Sequence, residues 1–314
     1  MPPKLSSLIS YIVYFNCVKR KILFVIAGVA MTLFGQAALA DSLINRPSTG
    51  LLFEIKSKLN TVYVFGSIHL AKASFYPLST QVEQAYAQAN TVAVEADVTD
   101  VVASKNALPL LSYASPDKLQ NHLSSTTWQS LQDFMGPAVE QLQGFKPAVA
   151  AMGLTLGVFA QKGYEPAYGI DLHFIHRAKA DKKKLLELES LAFQAGVLSG
   201  LTDEEGDSLL KQSLTSLHNG EAVRDAERMI VTWQAGDAVG LAALFTEAEN
   251  KDAGTKKLMK LLLDDRNVAM AQKINRLLID GEKTFVVVGA GHLTGMNSII
   301  DLLQKQGVQV QQLR

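Results

Sequence analysis

Two histidines stand in the same setting at opposite ends of the chain. Residues 62–69 read VYVFGSIH and residues 285–292 read FVVVGAGH, so each apolar, β-branched run closes on Gly-x-x-His. Between them, residues 91–95 (TVAVE) and 184–189 (KLLELE) are further apolar runs that close on carboxylates. The side chains at issue are His69, Glu95, Glu189 and His292. Two imidazoles and one or two carboxylates are the ligand types that borderline divalent ions take. Such an ion acidifies a bound water, and a nearby glutamate can accept the proton. That is a physical route to hydrolysis.

Each piece also has a plainer reading. A Gly-x-x-His after a strand can be a hydrogen-bonded core histidine; the second copy is what favours function. Glu95 could be an acid at a helix N-terminus. Glu187 and Glu189 share one face of a regular strand, so one of them is expected to be merely solvated. Asp171 has the spacing of a helix cap. His173 and His176, three apart, suit an exposed helix face better than a metal pair, and His122 and His218 lie in polar helical context. Residues 263–267 (LDDRN) belong to a helix, where Arg266 either joins a solvated face or reaches the sheet edge to hold a carboxylate or an oxyanion. Gly289-x-Gly291-x-x-x-Gly295 has the wrong spacing for a dinucleotide loop.

The elements that position these groups follow from patterning. Runs of Val, Phe and Tyr without polar alternation predict parallel strands buried on both faces. Gly66 and Gly289, where the first and last of these runs stop, allow a sharp turn or close approach. Each histidine then lies just past the carboxyl end of a strand, where open α/β sheets bind ligands, and neighbouring ends are only ~4.8 Å apart. Residues 51–56 and 62–65 predict a hairpin turning at Asn60. Residues 78–89 predict a helix. Residues 97–165 are mostly helical, with breaks expected at Pro109, Pro116, Gly136-Pro137 and Pro147, and 148–161 as a buried core helix. Residues 190–280 form a second helical block, with a capping box at 202–205 and Gly220, Gly236 and Gly254 at helix ends. A helix over 295–306 and a strand over 308–313 complete the chain.

The composition, 48% hydrophobic and 19% charged over 314 residues, is that of a folded chain. Net charge is zero, and residues 1–40 hold four basic residues and no acids. The 26 basic and 30 acidic residues left give −4, which argues against nucleic acid as a partner. Cys17 is the one cysteine, so there is neither a disulfide framework nor a Cys-based metal site. Lys19-Arg20-Lys21, the apolar run 22–34 and Ala38-Leu39-Ala40 form an export signal with cleavage expected after Ala40. An uncleaved anchor is the alternative, since 22–40 approaches the length of a membrane span. The long preface suggests a true start at Val18. The expected location is a periplasm or the exterior, with no stable membrane anchor after cleavage.

The chain resembles the TraB/GumN proteins, whose animal relatives are the TIKI proteins, and most of all the GumN-like bacterial branch. The resemblance covers about residues 50–314. It is carried by 65–70 (FGSIHL), 94–97 (VEAD), 168–171 (YGID), 188–190 (LES), Trp233 with Gly236-Asp237, 265–267 (DRN) and 288–295 (VGAGHLTG). It implies an α/β fold of the TIKI and erythromycin-esterase-like kind: a mostly parallel central sheet, an N-terminal hairpin and a large helical insertion, in one domain over 41–314 with helical segments at about 97–165 and 190–280. It implies a metal-dependent peptidase supported by manganese or cobalt, with zinc an alternative, acting on a peptide or protein substrate. His69, His292 and Glu95 would form the metal group. Glu189 would serve as base or further ligand, and Arg266 would stabilise the oxyanion. Asp171 and Asn267 are further candidates, with Gly66 and Gly289. The fold's relatives also include a haem-binding lipoprotein, so a non-catalytic periplasmic protein binding haem, metal or peptide is the alternative. The pheromone-shutdown relatives suggest a third, an inhibitor acting through the segment at 97–165.

Overall fold

The computed structural model describes residues 47–314, Asp252 excepted. The expected export signal, its cleavage after Ala40 and the start at Val18 lie outside the described residues. Six strands form one sheet: β1 (Leu51–Lys56), β2 (Thr61–Ser67), β3 (Thr91–Val94), β4 (Lys184–Glu187), β5 (Thr284–Gly289) and β6 (Gln309–Leu313), in the order β4-β3-β5-β2-β1-β6. β4, β3, β5 and β2 are parallel, and β1 alone runs against its neighbours. This is a mixed α/β protein with a mostly parallel sheet and an N-terminal hairpin. Ser57 and Asn60 cap the hairpin turn, as Ser57 Oγ accepts from the Leu59 and Asn60 amides.

The helices are α1 (Thr80–Gln88), α2 (Val101–Leu111), α3 (Ser125–Met135), α4 (Pro147–Gln161), α5 (Ile170–Ala180), α6 (Leu191–Ser199), α7 (Asp203–His218), α8 (Glu221–Gln234), α9 (Ala238–Glu249), α10 (Ala253–Met259), α11 (Asp265–Asp280) and α12 (Ile299–Lys305). A π-helical turn, Lys260–Asp264, joins α10 to α11. The sheet's core is aromatic. Phe65 on β2 packs edge-on against Phe174 of α5 and Trp233 of α8, and stacks on Phe285 of β5. A second apolar cluster joins α3, α4 and α7 through Leu131, Leu154, Leu210 and Leu214. A third lies between α2, α4 and α6 through Ala107, Val149 and Ala195.

Local rules account for most boundaries. The capping box at Thr202 and Glu205 opens α7, and Pro147 opens α4, where its missing N–H costs nothing. Pro109 does not break its helix, against the sequence expectation. It is exposed two residues before α2 ends, so only one hydrogen bond is forfeited. The last helix is shorter than expected, because Gly295 and Asn297 adopt left-handed backbone and hold 294–298 as a turn.

β5 inserts between β3 and β2, so the chain passes beyond it from β2 to β3 and β4 and then returns. Strand order thus reverses at the centre of the sheet, where parallel α/β sheets open a crevice at their carboxyl ends. Trp233 fixes that end of β2: its fully buried indole donates to the Gly66 carbonyl at 2.7 Å. Trp233→Phe removes the donor and, because phenyl is smaller than indole, also leaves a cavity. It is expected to lower the unfolding free energy by ~2–4 kcal/mol, read by urea denaturation.

His122 clasps the second cluster. It stacks on Tyr113 with centroids 4.0 Å apart, and its two ring nitrogens meet Asp203 at 2.7 Å and Asp117 at 2.9 Å. Burial opposes its charge, but the two carboxylates outweigh burial and raise its pKa. A raised folded pKa stabilises below the unfolded value of ~6.5 and loses that effect as pH rises through the folded value. Thermal scans of the natural chain and His122→Gln should therefore differ most below the unfolded value of ~6.5 and converge as the pH rises through the raised folded value.

Candidate functional site

The carboxyl ends of four parallel strands carry, in spatial order, Glu189 just beyond β4, Glu95 beyond β3, His292 beyond β5 and His69 beyond β2. The four residues singled out by spacing therefore line one sheet edge. Glu95 Oε1 accepts from the Gly289 amide at 2.7 Å and lies 3.6 Å from His292 Nε2. Gly289 eases this approach, since a Cβ there would crowd Glu95 Oε1 at 3.3 Å.

Arg266 joins the carboxylates. Its Nη2 contacts Glu95 Oε2 at 2.6 Å and Glu189 Oε2 at 2.5 Å, and its Nε reaches Glu189 Oε1 at 3.0 Å. Nη1 donates to the Leu262 carbonyl inside the π-helical turn at 2.8 Å. The guanidinium is thus largely spent on holding the two glutamates. Gln194, on α6, donates through Nε2 to the same two Oε2 atoms, at 3.0 Å and 3.1 Å. Glu187 turns away and accepts from the Asp97 amide at 2.7 Å. Burial pushes the Glu95 carboxyl up, but His292, Arg266, His69 and the Gly289 amide outweigh it, so its pKa lies below the ordinary range.

Both histidines are held by an oxygen at Nδ1. His292, 3% exposed, meets Asn267 Oδ1 at 2.7 Å. Asn267 donates its amide to the Asn297 carbonyl at 2.9 Å, which turns its oxygen toward the ring. The imidazole Nδ1 must then carry a hydrogen, and burial, which lowers this ring's pKa, favours the neutral form with a lone pair at Nε2. Nε2 lies on the side of the ring that meets Glu95 Oε1. His69, 72% exposed, meets Asp171 Oδ2 at 2.8 Å, and Ser67 Oγ donates to Asp171 Oδ1. Asp171 does not cap α5; Gly169 occupies that position, packed so closely that a Cβ would stand 2.5 Å from the His69 carbonyl. Asp171 beside His69 raises the ring's pKa, with help from Glu95, and water around the exposed ring screens the effect. His173 is not a metal partner of His176: it packs on Tyr76 at 4.5 Å, and burial first, then Arg177, pushes it down to about 4.

The donor chemistry fits a divalent ion. Glu95, Glu189 and Asp171 set three negative charges against Arg266 and His69, whose charged form Asp171 favours, and the 3.6 Å between Nε2 and Oε1 is close to the ~3.4 Å ligand spacing that bonds of ~2.0–2.2 Å imply. An oxygen acceptor on the remote nitrogen of each ring is the usual outer support of a metal-binding histidine. Among the described residues, however, no group of three or more His, Cys, Asp or Glu is placed to hold a metal ion. No helix among the described residues is long and apolar enough to cross a membrane.

Sequence reasoning found His69, Glu95, Glu189, Arg266 and His292 but gave no role to Gln194, Ser67 or Trp233. Asn267 and Asp171 were named without their task. Gln194 sits within the first turn of the helix that follows Glu189, and that position was the available signal.

The sheet edge and its paired Gly-x-x-His loops define an α/β protein with a polar site of two imidazoles and an Arg-bridged glutamate pair. The chain belongs to the TraB/PrgY/gumN family, whose model matches residues 51–312. It is 27% identical over 255 residues to the uncharacterized protein YbaP of Escherichia coli K12, covering 77% of this chain and 87% of that protein. An uncharacterized protein of Treponema pallidum is 22% identical over 281 residues, covering 82% of this chain and 80% of its own. No solved structure matches the chain.

Removing Arg266 leaves two enclosed carboxylates unpaired. Arg266→Ala should cost ~3–5 kcal/mol of stability at neutral pH. The depressed Glu95 pKa stabilises above the unfolded value and is lost as pH falls through the folded one. The deficit should therefore shrink below about pH 4, which paired urea titrations at pH 7 and at about pH 3 will read.

Proposed function

We propose that this chain is an exported, metal-dependent hydrolase of the TIKI and erythromycin-esterase-like fold, acting on peptide bonds outside the cytoplasm. The observation that carries the reading is His292 Nε2 standing 3.6 Å from Glu95 Oε1 while Asn267 holds the ring's other nitrogen. With the ring neutral, as its burial favours, two acceptors so placed repel unless a proton or a cation lies between them. His292 and Glu95 are the enclosed ligands, and His69, the exposed ring, completes the set. When bound, the ion supplies Lewis acidity and a water acidic enough to attack a carbonyl. The chain's own residues do the holding. Asn267 and Asp171 fix the two rings, while Arg266 and Gln194 keep Glu95 from turning away. In this reading Arg266 holds the glutamates instead of meeting an oxyanion, and Glu189 is the counter-charge that lets the guanidinium sit beside a cation. The resemblance to TIKI proteins supports a peptide substrate and manganese or cobalt, with zinc the alternative.

The second reading, a protein that binds haem, metal or peptide without turnover, is favoured by one observation: both Glu95 oxygens are already hydrogen-bonded.

Purified residues 41–314 should hydrolyse a peptide library with Mn²⁺ or Co²⁺ and lose this in His69→Ala and His292→Ala. Asn267→Ala should weaken metal binding about 10–100-fold, measured by calorimetry. Equal hydrolysis in chelator overturns the proposal. Tight metal binding with every peptide intact establishes the second reading.

A further inference from the structure

The two Gly-x-x-His loops differ just before the histidine. That residue is Ile68 in the first loop and Gly291 in the second. Ile68 packs on the core of the sheet. Gly291 does not adopt the left-handed backbone that would by itself call for glycine. What it provides is space. A Cβ there would stand 3.2 Å from each Leu263 methyl carbon and 3.2 Å from Phe245 Cζ. Two apolar side chains, one from the π-helical turn and one from α9, therefore converge on the backbone of the short turn that carries His292.

That contact lies on a short path to the glutamates. Leu263 and Asn267 are four residues apart and fall on one helix face. Both meet the His292 turn, Leu263 at Gly291 and Asn267 at the histidine's Nδ1. Leu262 and Arg266 form the neighbouring row, linked by the Leu262 carbonyl, which accepts from Arg266 Nη1 at 2.8 Å. Arg266 Nη2 then reaches Glu95 at 2.6 Å and Glu189 at 2.5 Å. One row seats the start of α11 on the β5 end, and the next row clamps the residues beyond β3 and β4.

Packed interiors give little, so an added methyl group displaces its neighbours. At Gly291 the displaced neighbour would be the π-helical turn. We propose that Gly291 is a positioning residue: its missing side chain lets Leu263 and Phe245 seat against the His292 turn, and that seat sets where the π-helical turn holds Arg266 against Glu95 and Glu189. The bearing of the seat on function rests on the reading of Glu95 as a ligand. The seat itself is measured without metal or substrate.

The experiment follows the Arg266 Nε–H of the full chain by heteronuclear NMR with chelator present, the signal being assigned with Arg266→Lys. This group donates to Glu189 Oε1 at 3.0 Å and should exchange slowly with water. Gly291→Val should speed its exchange ~10-fold or more, as an overpacked contact opens, and Gly291→Ala should do so less. Adding Leu263→Ala to Gly291→Val should return the rate to within ~3-fold of the natural chain, because the two positions share one contact. Gly206→Val is the control. A Cβ there would stand 3.0 Å from Pro147, between α7 and α4, so it should lower the melting temperature and leave Arg266 exchange unchanged. Unchanged exchange in both Gly291 variants, no restoration by Leu263→Ala, or equal acceleration in Gly206→Val overturns the proposal. Should Gly291→Val not fold, Gly291→Ala with and without Leu263→Ala carries the same comparison. If exchange responds as expected while the affinity for Mn²⁺, read separately by calorimetry, stays unchanged, the seat stands and the reading of Glu95 as a ligand fails.

Discussion

The site depends on one guanidinium shared by two carboxylates. Glu95 and Glu189 come from different strands, are largely enclosed and carry like charge, so they repel unless something positive lies between them. Arg266 supplies that charge, and Gln194 closes the ring with two amide donors. An arrangement of this kind contributes little net stability, because dehydrating the ions offsets their attraction. What it provides is orientation. With Glu95 Oε2 tied to Arg266, Oε1 is left to face the Gly289 amide and His292.

The scaffold converts that orientation into a site. Five of the six strands run one way, and the insertion of β5 between β3 and β2 brings ends distant in sequence into adjacent positions. The aromatic node of Phe65, Phe174, Phe285 and Trp233 sits beneath them. The Trp233 indole ties it directly to the Gly66 carbonyl, three residues before His69. The π-helical turn before α11 has a similar task. It gives Arg266 a carbonyl partner at Leu262, and its Leu263 side chain packs against the Gly291 backbone beside His292. An extra residue in a helical turn is often found at functional sites for this reason.

The two histidines share a motif and differ in environment. His292 is enclosed and stays neutral, with its tautomer set by an amide whose own orientation is fixed by Asn297. His69 lies open to water and leans on a carboxylate, which favours its charged form. Identical local sequence grammar thus produces one rigid lone pair and one ring that holds its proton. The difference comes from Asn267 and Asp171, each contributed by a remote helix.

The sequence by itself determined the strands but not every end: β2 runs on to Ser67, and β4 stops at Glu187 and lies half-exposed at the sheet's edge. Unalternated Val and Phe runs closing on glycine mark buried parallel strands, because a strand covered on both faces has no polar side to show. It also determined the chemistry at those ends, the hairpin turn at Asn60 and the capping box at Thr202. Chain-local signals fix these features. It could not settle which of Glu187 and Glu189 faces inward, that Asp171 supports a histidine and does not cap a helix, or that Gln194 belongs to the site. Only the tertiary structure decided these, since each depends on a partner some 80 to 100 positions away for Glu189, Asp171 and Gln194. Periodicity reports which face a residue lies on, and it carries no information about what the other face of the molecule brings to meet it.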